Sequence, residues 1–161
     1  MMIAALLAVL AGAGLAQEPP SPSPNSANSD YHFRYLNRLD PALGWRRTVS
    51  GLRYRKVSGT GNGPRPAPTD TVTIHYAGRF IDGTEFDSSV SRGEPATFPL
   101  PRLIRGWQEG VPMMSVGDRY EFAIPYNLAY GYAGRGPIPG GATLLFTIDL
   151  IAIPAQPPPG P

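Results

Sequence analysis

Residues 103–111, LIRGWQEGV, put Leu103, Ile104, Trp107 and Val111 on one face at helical spacing. Gly110 and Pro112 close the segment after about two turns. So short a helix does not form alone, because nucleation fixes several dihedrals for each early hydrogen bond. It needs a larger apolar surface, and the chain between 51 and 153 supplies one as strands. Residues 52–57 alternate, and Thr71–Phe80, TVTIHYAGRF, is rich in β-branched and aromatic residues. Asp82-Gly83 forms the centre of a hairpin turn, and Glu85-Phe86 begins the return. Residues 120–124 alternate up to Pro125, and residues 142–153, ATLLFTIDLIAI, form an apolar run expected to be buried on both faces. The fold class that follows is α+β: a curved antiparallel β-sheet wrapped around one short α-helix opening at Pro101. Trp107 then lies between helix and sheet, exposed on one side as the floor of a pocket. Residues 87–100 read as irregular, and residues 127–141 as a long glycine-rich surface loop.

The flanks differ in character. Residues 3–15, IAALLAVLAGAGL, are too short to span a bilayer comfortably. With the small residues up to Ala16, they predict a signal peptide over 1–16, cut before Gln17, and hence export to the periplasm or medium. The n-region has no Lys or Arg, so a retained N-terminal membrane anchor is the alternative; no membrane span is expected after cleavage. Residues 17–30, QEPPSPSPNSANSD, are too polar and proline-rich to bury a core and predict an extended linker. Residues 31–50 show some helical periodicity ended by Pro41 and Gly44, in a segment that either packs on the domain or mediates dimerisation. Residues 154–161 form a proline-rich tail.

The composition excludes several chemistries. There is no cysteine, which removes disulfides, thiol catalysis and thiolate metal sites. His32 and His75 are the only histidines, too few for an imidazole metal cage. No cofactor is implied. The net charge is +2, and Arg46-Arg47 and the RYRK of 53–56 are short solvated edges rather than a nucleic-acid patch. The glycines at 59, 61 and 63 precede prolines and no helix, so they do not make a phosphate loop. Ser88, Ser89 and Ser91 have no histidine near them in sequence, and His75 reads as a packed strand residue. Asp82 serves the turn. What the middle of the chain holds is rings: Tyr76, Phe86, Phe98, Trp107, Tyr130, Tyr132 and Phe146. Singly each fits a core; with a glycine-rich loop they suggest a concave apolar ligand site with few polar groups.

Five segments in order carry a resemblance: VTIHYAGRFIDGTEFDSS (72–89), LIRGWQEGV (103–111), MSVGDRYEFAIP (114–125), LAYGYAG (128–134) and IPGGATLLFTIDLI (138–151). Together they resemble the FKBP-type peptidyl-prolyl cis-trans isomerases over 51–153. The resemblance implies isomerase activity on X–Pro bonds of unfolded or partly folded polypeptides, by desolvation and transition-state binding. The alternative it leaves is a catalytically weak chaperone or partner-binding module. It implies Trp107 as the floor beneath the prolyl ring, with Asp87 and Tyr130 as the other catalytic groups. It implies substrate contacts by Tyr76, Phe86, Phe98, Leu103, Ile104, Ile138 and Phe146, with Arg92 as partner to Asp87. The Ile104 backbone N–H and the Tyr130 hydroxyl would hold flanking carbonyls. Locally, Asp87 reads equally as a turn carboxylate capping the amides of Ser88 and Ser89. Macrolides are the implied inhibitors. Ala96 stands where many members carry a bulky aromatic, which opens one side of the pocket, and Tyr132 is placed to refill it.

Overall fold

A computed structural model describes residues 26–154. The predicted signal segment, the linker up to residue 25 and the tail from 155 lie outside the described residues. Seven strands make one antiparallel sheet: β1 (Arg46–Arg47), β2 (Arg53–Ser58), β3 (Thr71–Phe80), β4 (Glu85–Ser88), β5 (Ala96–Pro99), β6 (Arg119–Ile124) and β7 (Leu144–Ala152). Their order is β1-β2-β6-β7-β3-β4, and β5 also pairs with β3. The outer edge of β3 is shared: β4 takes Ala77 to Arg79, and β5 takes Thr71 to Ile74. Between them lies a single helical turn, α2 (Ser89–Arg92), started by the Ser88 hydroxyl accepting the Ser91 N–H and ended by Gly93 at φ 79°. The stretch read as irregular therefore contains a strand. Its alternation is confined between Pro95 and Pro99, too short to register as a period.

Alternation sets the inner face. Val72, Ile74 and Tyr76 on β3 and Leu144, Phe146, Ile148 and Leu150 on β7 are buried in one cluster. On β7 the intervening Leu145, Thr147 and Asp149 are only partly buried. The expectation of burial on both faces is thereby corrected: this strand has one core face, and its apolar look comes from partial cover of the other.

Helical structure begins later than Pro101. Leu100–Arg102 form a 3-10 turn, Leu103 is extended (φ −93°, ψ 170°), and α3 runs Arg105–Gly110 before a second 3-10 turn, Val111–Met113. Leu103 and Ile104 reach the core from this extended bend, not from a helical face. Gly106 and Gly110 explain how close α3 lies to the sheet. A Cβ on Gly106 would come within 2.4 Å of an Ile124 side-chain carbon, and one on Gly110 within 2.6 Å of the Phe122 ring. The bare helix backbone lies on β6, and Trp107, next along, turns into the space between.

The N-terminal segment packs on the outer face of the sheet. α1 (Ser26–Asn37) starts inside the stretch expected to be an extended linker, so residues 26–30 are helical instead. A 3-10 turn follows at Pro41–Leu43, capped by the Asp40 carboxylate and ended by Gly44 at φ 86°. Tyr35, Leu39, Leu43 and Trp45 face Ala77, Arg79, Leu145 and Thr147 across a groove of about 400 Å³. The Arg55 guanidinium lies 5.1 Å from the centre of the Trp45 ring and donates to Glu121 at 2.6 Å. The buried ring of His32 accepts the Thr143 backbone N–H at Nδ1 over 3.1 Å. Within residues 31–50, His32, Tyr35, Leu43 and Trp45 thus pack on the domain. Among the described residues no helix is long and apolar enough to cross a membrane.

Candidate functional site

Trp107 is the centre of an aromatic cage. Its ring meets Phe146 at 5.1 Å, Tyr76 at 5.3 Å and Phe98 at 6.3 Å between centroids, each nearly perpendicular. Edge-to-face packing of this kind is favourable beyond the buried area. Phe86 closes on Phe146 at 5.6 Å. Leu103, Ile104 and Ile138 belong to the same buried cluster. The structure thus brings together the apolar residues expected in the site, from β3, β4, β5, the bend before α3, the 127–141 loop and β7. One expectation is corrected. Trp107 is 1% exposed, so it is not open on one side; Tyr76, Phe98 and Phe146 stand around it. Its indole N–H has no hydrogen-bond partner among the described residues.

Gly78 makes the wall possible. It is the cross-strand partner of both Asp87 and Phe146. A Cβ there would come within 2.8 Å of ring atoms of both Phe86 and Phe146. The two rings lie directly on the backbone of β3, which any side chain would prevent.

A polar triangle braces one side. The Tyr76 hydroxyl donates to Asp87 Oδ2 at 2.6 Å and accepts from Arg92 Nη2 at 2.9 Å, and Arg92 Nη1 ion-pairs with Asp87 Oδ1. The Asp87 carboxylate therefore does not cap Ser88 and Ser89, which removes that local reading. Burial, reinforced by Asp87 and opposed by Arg92, pushes the Tyr76 phenol above its ordinary range. Burial pushes Tyr130 up to about 12, with Arg135 opposing and Asp87 adding, so its hydroxyl keeps its proton at neutral pH. Ser89, completely buried, anchors the same strand: its hydroxyl accepts the Tyr76 N–H at 2.7 Å and lies 3.0 Å from His75 Nδ1. Serine and histidine do meet here, but the serine is fully buried and its hydroxyl is committed to backbone, while His75 is half-buried. Local sequence carried no signal of that contact, nor of Phe80, whose ring backs Phe86 at 4.9 Å.

Ala96 sits half-buried on β5, and Tyr132 does not refill the space beside it. Tyr132 is 58% exposed and pairs with Tyr126, hydroxyl to hydroxyl at 2.6 Å. No group of acidic or histidine residues among those described could hold a metal ion.

An open antiparallel sheet packed on one short helix, with a ring-lined cage and a single braced carboxylate, defines a class of α+β proteins whose site offers shape and dryness. The FKBP-type peptidyl-prolyl cis-trans isomerase family pattern matches residues 63–151, and the chain belongs to that family. It is 53% identical over 119 residues to the FKBP-type isomerase FkpA of Aeromonas hydrophila, a match that covers 74% of this chain and 44% of that one. It is 47% identical over 121 residues to the FKBP-type 22 kDa isomerase of Escherichia coli strain K12, covering 74% and 58% respectively. The crystal structure of FkpA from Escherichia coli superposes with a TM-score of 0.72 at 37% identity, covering 83% of this chain and 61% of that chain. The chain thus spans about half the length of these curated relatives.

Proposed function

We propose that this protein is a peptidyl-prolyl cis-trans isomerase acting on exposed X–Pro bonds of unfolded or partly folded polypeptides. The observation that carries the reading is the Trp107 cage with Tyr76, Phe98 and Phe146 standing nearly edge-on around it. The prolyl ring enters between the half-buried Phe86, Phe98 and Tyr130, which swing outward, and lies on Trp107. An X–Pro bond rotates over a barrier of about 18–20 kcal/mol, taking tens to hundreds of seconds unaided. No bond forms or breaks, so no nucleophile is required. In the twisted amide, resonance is lost, the carbonyl becomes ketone-like and the nitrogen more basic. A dry cage favours that less polar form over either planar one, and this difference is the catalytic term. Lowering the barrier by about 4–7 kcal/mol corresponds to roughly 10³–10⁵-fold acceleration.

Tyr130 donates its retained hydroxyl proton to a substrate carbonyl, and the Ile104 N–H holds another. Leu103, Ile138 and Phe146 complete the apolar wall. Both Asp87 oxygens are engaged, by Tyr76 and Arg92, so Asp87 acts by holding the Tyr76 ring upright rather than by facing the twisting carbonyl. The test is the cis-to-trans rate of a Leu-Pro peptide with wild type, Trp107→Leu and Asp87→Ala, each checked for folding by circular dichroism. Trp107→Leu is expected to lose at least about tenfold; unchanged rates in folded variants would remove these roles.

A second reading, a binding module with weak catalysis, is favoured by Ala96, which leaves one wall low. A macrolide proline-site inhibitor separates the two: it abolishes turnover in an isomerase, and finds no turnover to abolish in a module. Export is part of the proposal, supported by the apolar run 3–15 and the small residues before Gln17. N-terminal sequencing of the mature protein tests it.

A further inference from the structure

Ring contacts lead from the cage to a second apolar groove. Trp107 meets Phe146 at 5.1 Å, Phe146 meets Phe86 at 5.6 Å, and Phe86 meets Phe80 at 4.9 Å. Phe80 ends β3 and lines a groove of about 300 Å³ with Tyr31 of α1, Ile81, Pro137, Pro139 and Ala142. The loop between cage and groove serves both. Ile138 is buried in the Trp107 cluster, whereas its neighbours Pro137 and Pro139 are exposed and line the groove. The groove surface is mainly apolar. Its carboxylate, Asp82, is committed to the turn by accepting the Thr84 N–H at 2.9 Å. Its imidazole, His32, accepts the Thr143 N–H. Tyr31, 56% exposed, presents a large ring to solvent at one side.

We propose that this groove is an accessory subsite of the isomerase, taking a large apolar side chain from the same polypeptide whose proline occupies the cage. The inference rests on the isomerase reading. The 137–139 loop joins groove to cage, with Ile138 in the Trp107 cluster and Pro137 and Pro139 on the groove, and the half-buried Phe80 and Phe86 pack on each other at 4.9 Å. A polypeptide extending from that cage meets it without leaving the surface. Extended chain advances about 3.3 Å per residue, so a few residues separate the proline from the side chain in the groove, at one fixed spacing. The groove lies in one direction from Trp107, so it is reached from one side of the proline only. An unfolded chain is bound where proline and a large apolar residue occur at that spacing, which is a substrate preference that the cage alone does not create.

The experiment uses the full chain and two substrates: a Leu-Pro tetrapeptide, and decapeptides with one Leu-Pro and a single Phe moved from two to six residues before or after it. Wild type is expected to turn over one Phe placement, on one side, about 5–20-fold more efficiently than a Ser-only decapeptide. Ile81→Asp is expected to lose that gain and leave the tetrapeptide rate unchanged. Tyr31→Ser, altered on α1 outside the isomerase domain, is expected to lose part of it. Equal turnover of all decapeptides by wild type overturns the proposal. So does an equal loss on tetrapeptide and decapeptide in both variants. Sedimentation showing a wild-type dimer that Ile81→Asp converts to monomer assigns the groove to a second copy, and also overturns it. If wild type accelerates no Leu-Pro peptide, the isomerase reading fails by itself. The groove is then judged by anisotropy on Leu-Ala decapeptides: tighter binding of a Phe-bearing peptide supports it, and equal binding overturns it.

Discussion

The two faces of the sheet are built by different physics. On the inner face, Trp107, Tyr76, Phe146 and Phe122 are almost completely buried and touch one another in a continuous cluster. On the outer face, α1 and the turn after it hold on by separate contacts: His32 to Thr143, Arg55 over Trp45, and Asn37 with Arg53 at 3.4 Å. The inner face gains from dense packing, where each ring supports several others. The outer face gains from single contacts, the His32–Thr143 bond buried and the Arg55 and Asn37 contacts nearer water, where each is worth little. The lesson is that the site is built into the core, while the N-terminal segment is held on the sheet by a few separate contacts.

That contrast can be broken most sharply at Phe146. Phe146→Ala is expected to cost about 3–5 kcal/mol in urea unfolding, since it leaves a cavity against three other rings. A cost under about 1 kcal/mol would show the cage to be loosely packed. Tyr76→Phe keeps the ring and removes the hydroxyl that braces Asp87. It is expected to cost about 1–3 kcal/mol, because Asp87 is buried and loses its Tyr76 donor. Leu-Pro turnover should fall several-fold with it; full activity would reduce the triangle to packing.

The outer face is probed by pH. Burial lowers the His32 pKa from 6.5, and the Thr143 N–H requires a lone pair on its Nδ1. The unfolded chain therefore binds the proton more readily than the folded one. Stability is present above about 6.5 and falls as pH drops below it. His32→Asn keeps an acceptor without titrating, so its urea midpoint should change less between pH 7.5 and 5.5 than that of wild type. Parallel curves would refute a role for His32. The smallest effect is expected from Arg55→Ala, no more than about 1 kcal/mol, through loss of the Trp45 contact and a half-exposed ion pair. A larger loss would make the outer face part of the core.

Much of this was legible beforehand, for identifiable reasons. The alternation in 71–80 reports its own face, because pleating repeats every two residues, whereas in 120–124 Phe122, Ala123 and Ile124 are all buried and only the strand itself was legible. The hairpin at Asp82-Gly83 was legible because Gly83, at φ 90°, adopts a backbone that few other residues can. The apolar residues named through motif resemblance lie in or against one buried cluster. The start of α3 was misread, since Leu103 and Ile104 are buried whether helical or extended. β5 was missed because two prolines bracket so short an alternation. The N-terminal helix overran the linker because its packing partners lie far along the chain.

Sequence alone determined the kinds of element, the family resemblance and the stock of rings without thiols. These follow from local periodicity, turn chemistry and composition, which act over a few residues. Only the tertiary structure decided that Asp87 braces Tyr76 instead of capping a turn, that Gly78 and Gly106 are bare so that rings and helix can lie on the sheet, and that Trp107 is closed over. Each of those depends on segments distant in the chain meeting at contact range, and no local pattern records which side chain will arrive opposite which.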